Sequence, residues 1–133
     1  MKVQGACHCR AIRYEAEVDP EHVTICHCSD CQRLTGSAYR VTVRALRKHF
    51  VLLAGTPKAY VKTAQSGARR AQVFRGDCGS PLYTHAMEQS ETLGLRTGCI
   101  EQRHQLRPRL QVWHDSALGW CADITDLPIQ AQE

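Results

Sequence analysis

The sequence predicts an all-β protein of antiparallel strands with one short helical turn near residue 30. Apolar and polar residues alternate at every second position in several segments, as in strands with one buried face. These segments are short, and glycine, proline and polar residues typical of turns separate them. The stretch "CHCSDCQRLTG", at positions 26–36, lacks this alternation and holds three cysteines. It therefore marks both the helical turn and a candidate site.

The clearest alternation lies in "AIRYEAEV" and "AYRVTVR". Seven apolar residues of these strands are expected to lie on their core face: Ile12, Tyr14, Ala16, Val18, Tyr39, Val41 and Val43. Further strands are predicted in "HFVLLAG", "KAYVKT", "AQVFRG", "SPLYTH", "ETLGLRTG" and "LQVWHD". In "SDCQRLTG", Ser29 or Asp30 can cap a helix of at most two or three turns, which Gly36 can end. The tail "DLPIQAQE" is expected to fray.

Length and composition indicate one globular domain over residues 1–133 in a reducing cytoplasm. The hydrophobic content of 43% is ordinary, and no stretch approaches the roughly 20 apolar residues of a membrane span. The start, "MKVQGACHC", has no apolar run typical of a secretory signal. The net charge of +4 comes from scattered basic residues, which are typical of a solvated surface; they can also attract a small acidic substrate, and nucleic acid is not an expected partner.

The eight cysteines indicate a metal site more than disulfides, because cytoplasmic thiols stay reduced. Cysteines two apart on a strand face the same side, and cysteines three apart across a tight turn can converge. Cys26, Cys28 and Cys31 combine both spacings, so they are expected to bind one Zn²⁺ and leave a fourth position open, as in catalytic zinc sites. A Cys28–Cys31 redox pair, disulfides and unrelated buried thiols remain the alternatives.

A second pair, Cys7 and Cys9, makes half of a metal site, and Cys78 in "VFRGDCGSPLY" is the expected third ligand. Cys99 and Cys121 lie outside these groups and are expected to be buried thiols. Trp113 and Trp120 are expected in the core or in a pocket wall.

Four segments occur in the order "GACHCRAIRYE", "CHCSDCQRLTG", "FRGDCGSPLY" and "VWHDSALGW". These segments and their order resemble those of the glutathione-dependent formaldehyde-activating enzyme and centromere protein V family, and the resemblance covers about residues 5–127. The resemblance implies an Mss4-like fold of twisted antiparallel sheets. It also implies a structural zinc at Cys7, Cys9 and Cys78, and a zinc site of chemistry at the C-x-C-x-x-C cluster.

The sequence departs from the family pattern at two positions. Arg75 stands where the family has a cysteine ligand, and Arg10 replaces the glycine after the first C-x-C. An arginine cannot supply a thiolate, so the second, structural zinc is in doubt. Water or one of four side chains can complete the site: His8, Asp77, His85 or Cys99. Alternatively, Arg75 itself pairs with the thiolates in place of the metal charge.

The family resemblance implies a carbon–sulfur lyase or thiol-adduct enzyme, in which zinc binds a substrate thiol such as glutathione and an aldehyde such as formaldehyde reacts with it. Arg33 and Arg40 are the expected ligands for a substrate carboxylate. His27 is expected to face away from its cysteine neighbours. Two alternatives remain: a non-catalytic zinc module that binds a macromolecule, and a thiol-based redox or metal sensor.

Overall fold

The computed structural model describes residues 1–88 and 90–133. Within these ranges, the regular elements are eight strands, one α-helix and three short 3₁₀ turns. The strands are β1 Lys2–Ala6, β2 Arg13–Cys26, β3 Arg40–Ala54, β4 Lys58–Thr63, β5 Arg69–Phe74, β6 Pro81–Ala86, β7 Thr92–Arg96 and β8 Leu110–Val112. The helix, α1, spans Ser29–Thr35. No helix in the described ranges is long and apolar enough to cross a membrane.

The strands form one sheet in the order β1-β2-β3-β7-β6-β5-β4. All neighbours in this order are antiparallel, which confirms the predicted all-β fold with a short helix after the cysteine cluster. Strand β8 adds a parallel pairing to the last residues of β2, beyond the part that β1 pairs. The predicted sheets are therefore a single sheet, and one of its pairs is parallel.

Strands β2 and β3 are longer than the alternation predicts. "AIRYEAEV" continues to Cys26, and "AYRVTVR" and "HFVLLAG" form one strand, Arg40–Ala54. The register between β2 and β3 shifts between Ala16 and Val23, and such irregularities bend a strand pair without ending it. Because of this bend, the alternation of apolar and polar residues is interrupted within each strand, and the sequence pattern does not show that the strands continue. The first strand, β1, was also not predicted.

The hydrophobic core contains the apolar residues that the alternation before and within β2 predicts. Ile12, Tyr14, Ala16 and Val18 are all buried. Tyr14 packs directly over Gly5 of β1, where an added Cβ would lie 2.0 Å from the tyrosine ring. A glycine is therefore required at this point of close approach.

Candidate metal centre and adjoining cavity

The cysteines of the C-x-C-x-x-C motif come together where β2 passes into α1. Cys26 is the last residue of β2, Cys28 is the N-cap of α1, and Cys31 lies in the first helical turn. Their three sulfurs lie within 4.8 Å of one another. We name these residues the helix cluster.

The helix cap differs from the predicted one. Cys28, rather than Ser29 or Asp30, caps α1, and its sulfur accepts a hydrogen bond from the backbone N–H of Cys31 at 3.3 Å. The convergence therefore comes from a strand end and a helix start, and not from two positions on one strand face. Gly36 ends the helix with φ of 65°, as predicted.

The helix cluster fits a zinc ion. Zinc binds thiolates at about 2.3 Å, so sulfurs at the corners of a tetrahedron lie roughly 3.8 Å apart. Burial opposes ionisation of Cys28, but hydrogen bonds from Cys31 and Cys26 lower its pKa overall. Burial, followed by the neighbouring sulfurs, raises the pKa of Cys31. Cys31 therefore resists ionisation beside its neighbouring sulfurs, and a bound divalent ion would relieve that repulsion.

His27 ties the loop between β2 and α1 to β8. Its side chain is only 2% exposed, and its Nε2 lies 2.7 Å from Oε1 of Gln111. Its backbone N–H donates to the carbonyl of Val112 at 3.1 Å. The ring packs edge-on against Tyr39 and His114 and is not among the clustered metal donors of the described residues. His27 therefore positions the cysteine loop.

Two buried arginines lie beside the helix cluster. Arg40 is directly opposite Cys26 in the pairing of β2 with β3, and it is 4% exposed. Its Nη1 donates to Oε1 of Gln72 at 3.0 Å. Arg96, at the end of β7, is 8% exposed and donates from Nη2 to the same oxygen at 2.8 Å. A further bond joins Nη1 of Arg96 to the hydroxyl of Thr42 at 2.7 Å.

The buried arginines line a cavity of about 380 Å³. The predicted substrate-binding residues Arg33 and Arg40 both belong to its wall, Arg33 from the exposed surface of α1 and Arg40 from the buried start of β3. The remaining wall consists of Leu34, Tyr60, Gln72, Val73, Phe74, Gly79, Pro81, Tyr83 and Arg96. Sequence reasoning missed Gln72 and Arg96, because polar residues inside short strands give no sign of which cavity they face.

A second cavity, of about 720 Å³, opens on Cys28. Asp30 lies in its wall and pairs with Lys62 at 2.8 Å. Trp113 also lines it, is 62% exposed and has φ of 54°, a left-handed conformation that is costly for a large side chain. Of the two predicted positions for Trp113, the structure therefore supports the pocket wall. Trp120 is exposed, so its predicted core position is wrong.

The other cysteine group lies between the end of β1 and the turn that joins β5 to β6. The sulfurs of Cys7, Cys9 and Cys78 lie within 4.8 Å of one another, and those of Cys7 and Cys9 are 3.6 Å apart. That separation is close to the edge of a zinc–thiolate tetrahedron. The backbone N–H of Ile12 donates to the sulfur of Cys7 at 3.3 Å. We name these residues the turn cluster.

A hydroxyl supports the turn cluster. Ser80 accepts a hydrogen bond from the backbone N–H of His8 at 2.9 Å, and its oxygen lies 3.4 Å from the sulfur of Cys78. The bond from Ser80 is the main cause that lowers the pKa of Cys78, to about 6. Cys78 is therefore readily ionised, as a metal ligand must be.

Arg75 lies beside the turn cluster. Desolvation opposes its charge, but a hydrogen bond with Cys9 and the charge of Asp77 raise its pKa. Its Nη2 donates to Asp77 at 2.6 Å. In the part of the chain that the structure describes, no fourth metal donor joins the three sulfurs. Cys99 is close by, but its thiol lies 3.3 Å from the carbonyl of Pro81.

The family model described as glutathione-dependent formaldehyde-activating enzyme matches residues 2–116. The chain belongs to this family. A crystal structure of a Rhodobacter sphaeroides protein from a structural genomics programme has the same fold, with a TM-score of 0.65 at 19% identity. The similarity covers 81% of this chain and 98% of that one. The search of curated proteins found no match.

In the glutathione-dependent formaldehyde-activating enzyme family, the motif has a glycine where this chain has Arg10, and the backbone conformation at this residue explains that glycine. Arg10, at the position of the motif's glycine, has φ of 64° and donates its backbone N–H to the carbonyl of Cys7 at 3.0 Å. The turn that follows Cys9 therefore needs the left-handed backbone that glycine adopts without strain. In this chain an arginine adopts it, at a cost of about 1–2 kcal/mol.

Proposed function

We propose that the protein is a zinc-dependent carbon–sulfur lyase, with Cys26, Cys28 and Cys31 as the ligands of the catalytic zinc. The single observation that carries the proposal is the convergence of these three sulfurs, within 4.8 Å of one another, next to a cavity that opens on Cys28. Three protein ligands and an accessible fourth position are typical of catalytic zinc, whereas structural zinc is usually closed by four. Family membership supports the same reaction class.

The proposed reaction joins a thiol, such as glutathione, to an aldehyde, such as formaldehyde, or separates them again. Zinc, when bound, would lower the pKa of a substrate thiol and so make it a nucleophile at neutral pH. In the forward direction a bond forms between sulfur and the carbonyl carbon, and the C=O π bond breaks. The thiol proton ends on the former carbonyl oxygen. The product is an S-hydroxyalkyl adduct, and no electrons are exchanged with an outside reagent.

The residues around the helix cluster would position the substrate. Arg33 and Arg40 line one cavity, and we propose them as partners of a substrate carboxylate. Trp113 lines the cavity on the Cys28 side and offers an apolar face. The substrate would then be a small anionic thiol or its aldehyde adduct, and the protein would act in the reducing cytoplasm, where thiols remain free.

The turn cluster would have a supporting role. We propose that Cys7, Cys9 and Cys78 hold a second zinc through three thiolates, which joins the end of β1 to the turn between β5 and β6. The proximity of Arg75 to Cys9 weakens the case for tight binding, because a fixed cation repels a second one.

The test measures zinc per chain, free thiols before and after denaturation, and the rate of adduct formation from glutathione and formaldehyde. We expect at least one zinc per chain, protected thiols in the folded protein, and a rate above that of the spontaneous condensation. Zinc-free protein with a Cys28–Cys31 disulfide under mild oxidant would contradict the proposal and favour a redox sensor. Bound zinc without any rate increase for several thiols and aldehydes would favour a non-catalytic zinc module.

A further inference from the structure

Arg40 and Arg96 are buried without an acidic partner among the described residues. Burial of a guanidinium is costly unless an anion compensates its charge. The side-chain oxygens that accept from them, Oε1 of Gln72 and the hydroxyl of Thr42, are both neutral. The Nε atom of Arg40 is buried and has no partner among the described residues. These neutral acceptors therefore leave the positive charge of the two arginines uncompensated.

The helix cluster offsets only part of this charge. Three thiolates and one divalent ion sum to −1, whereas the two arginines sum to +2. Both arginines lie within electrostatic reach of Cys26 and Cys31. Arg70 adds a further positive charge near Arg96. At least one positive charge therefore remains for an anion from outside the chain.

The cavity beside these arginines suits an anionic organic molecule. No aspartate or glutamate lines it in the described ranges, so an entering anion meets no like charge. Tyr60, Phe74 and Tyr83 supply apolar surface in the same wall. Its volume of about 380 Å³ lies in the range of small-molecule sites.

We infer that Arg40 and Arg96, held together by Gln72, form the subsite for a carboxylate of the thiol substrate, and that Arg96 determines the preference for anionic thiols. This inference rests on the proposed function, in which the thiol of the same molecule binds at the helix cluster; Arg40 lies directly opposite Cys26 of that cluster in the pairing of β2 with β3. It adds to the expected pair of Arg33 and Arg40 a residue from β7 that no sequence motif marks. It also explains the position of Gln72, because its amide oxygen accepts hydrogen bonds from both guanidinium groups and holds them together.

The test uses a probe without a free thiol. S-Methylglutathione keeps both carboxylates of glutathione, and its diethyl ester has none. We expect calorimetric titration of the zinc-loaded protein to show the acid binding about tenfold or more tightly than the ester, as a charge-assisted hydrogen bond predicts. Equal binding of acid and ester, or no binding of the acid, would overturn the inference.

Two variants test whether Arg96 determines the preference for the acid over the ester. Arg96→Gln should weaken binding of the acid about tenfold or more and leave binding of the ester within about twofold. Arg107→Gln removes one exposed arginine outside the cavity and controls for net charge. If Arg96→Gln lowers the zinc content and leaves the acid-to-ester ratio unchanged, Arg96 serves only to neutralise the cluster and the inference is wrong.

Two further measurements keep the result interpretable. If Arg96→Gln does not fold, as judged by its thermal unfolding, Arg40→Lys is measured in its place and should lose the same preference, because an ammonium cannot reproduce the fixed guanidinium geometry. An unchanged ratio in that variant counts against the subsite. A normal ratio in a protein without adduct-forming activity supports the subsite and refutes the proposed reaction alone.

Discussion

The helix cluster and the turn cluster offer the same three sulfur donors in different surroundings. The helix cluster has two buried arginines behind it and a cavity that opens on Cys28. The turn cluster has an exposed cysteine, Cys9, and a neighbouring arginine, Arg75, at the position of the missing family ligand. The donor set alone therefore does not separate catalysis from support. The two clusters differ in the cavity that opens on Cys28 and in their neighbouring charges, and the roles proposed for them rest on these differences.

The largest effect is expected at the helix cluster. Cys31→Ser removes one of three thiolates, so it should lose about one zinc per chain and lower adduct formation by at least about a hundredfold. The secondary structure, followed by circular dichroism, should survive, because the mutated side chain lies in α1 and outside the hydrophobic core. Cys121→Ser is the matched control. A variant with unchanged zinc content would refute the ligand assignment.

The next effect concerns the missing ligand. Arg75→Cys supplies the fourth family thiolate and removes a repelling cation, so zinc at the turn cluster should bind about tenfold more tightly or better. Competition with a coloured chelator measures this affinity, and the unfolding temperature should rise by several degrees. Arg107→Cys adds a thiol at an exposed position elsewhere and is the control. Unchanged affinity in Arg75→Cys would indicate that another group already completes the site.

A smaller loss is expected from Ser80→Ala. The hydroxyl of Ser80 supports Cys78 and also accepts from the backbone of His8. Removal of such an outer hydrogen bond lowers metal affinity by about tenfold. The chelator assay should show earlier zinc loss from the turn cluster, with the zinc of the helix cluster unaffected. Equal loss from both clusters would mean that they are not independent.

The smallest effect is expected at Arg10. Arg10→Gly relieves the left-handed backbone strain but adds flexibility to the unfolded chain, so the net gain in the free energy of unfolding is about 0.5–1 kcal/mol. The lost pairing of Arg10 with Glu101 is solvent-exposed and contributes little. Urea unfolding measures the change. Arg13→Gly, at the first residue of β2, is the contrast and should destabilise the protein.

The fold was predictable where alternation is strict. Ile12, Tyr14, Ala16 and Val18 are buried as expected, because period-two patterns report directly on one buried face. The full length of β2 and β3 was not predictable, since register shifts interrupt the pattern without ending the strands. Strand β1 was not predictable because it is short and holds the glycine over which Tyr14 packs.

The donor set of the helix cluster was predictable from cysteine spacing. The turn pattern around Cys78 and the family resemblance favoured its grouping with Cys7 and Cys9, which are distant in sequence but adjacent in space. Arg96 and Gln72 were not predictable, because their placement depends on which strands are neighbours in the sheet. The roles of Arg33 and Arg40 stay predictions, although both residues line one cavity.

The position of strand β8 in the sequence determines when, during synthesis, the cysteine loop gains its neighbouring strand. All six clustered cysteines lie in the first 78 residues, but the strand that flanks Cys26 and anchors His27 spans Leu110–Val112. During synthesis the thiols therefore leave the ribosome well before the segment that holds their loop in place. A nascent chain would carry every donor before the strand that holds the cysteine loop is synthesised.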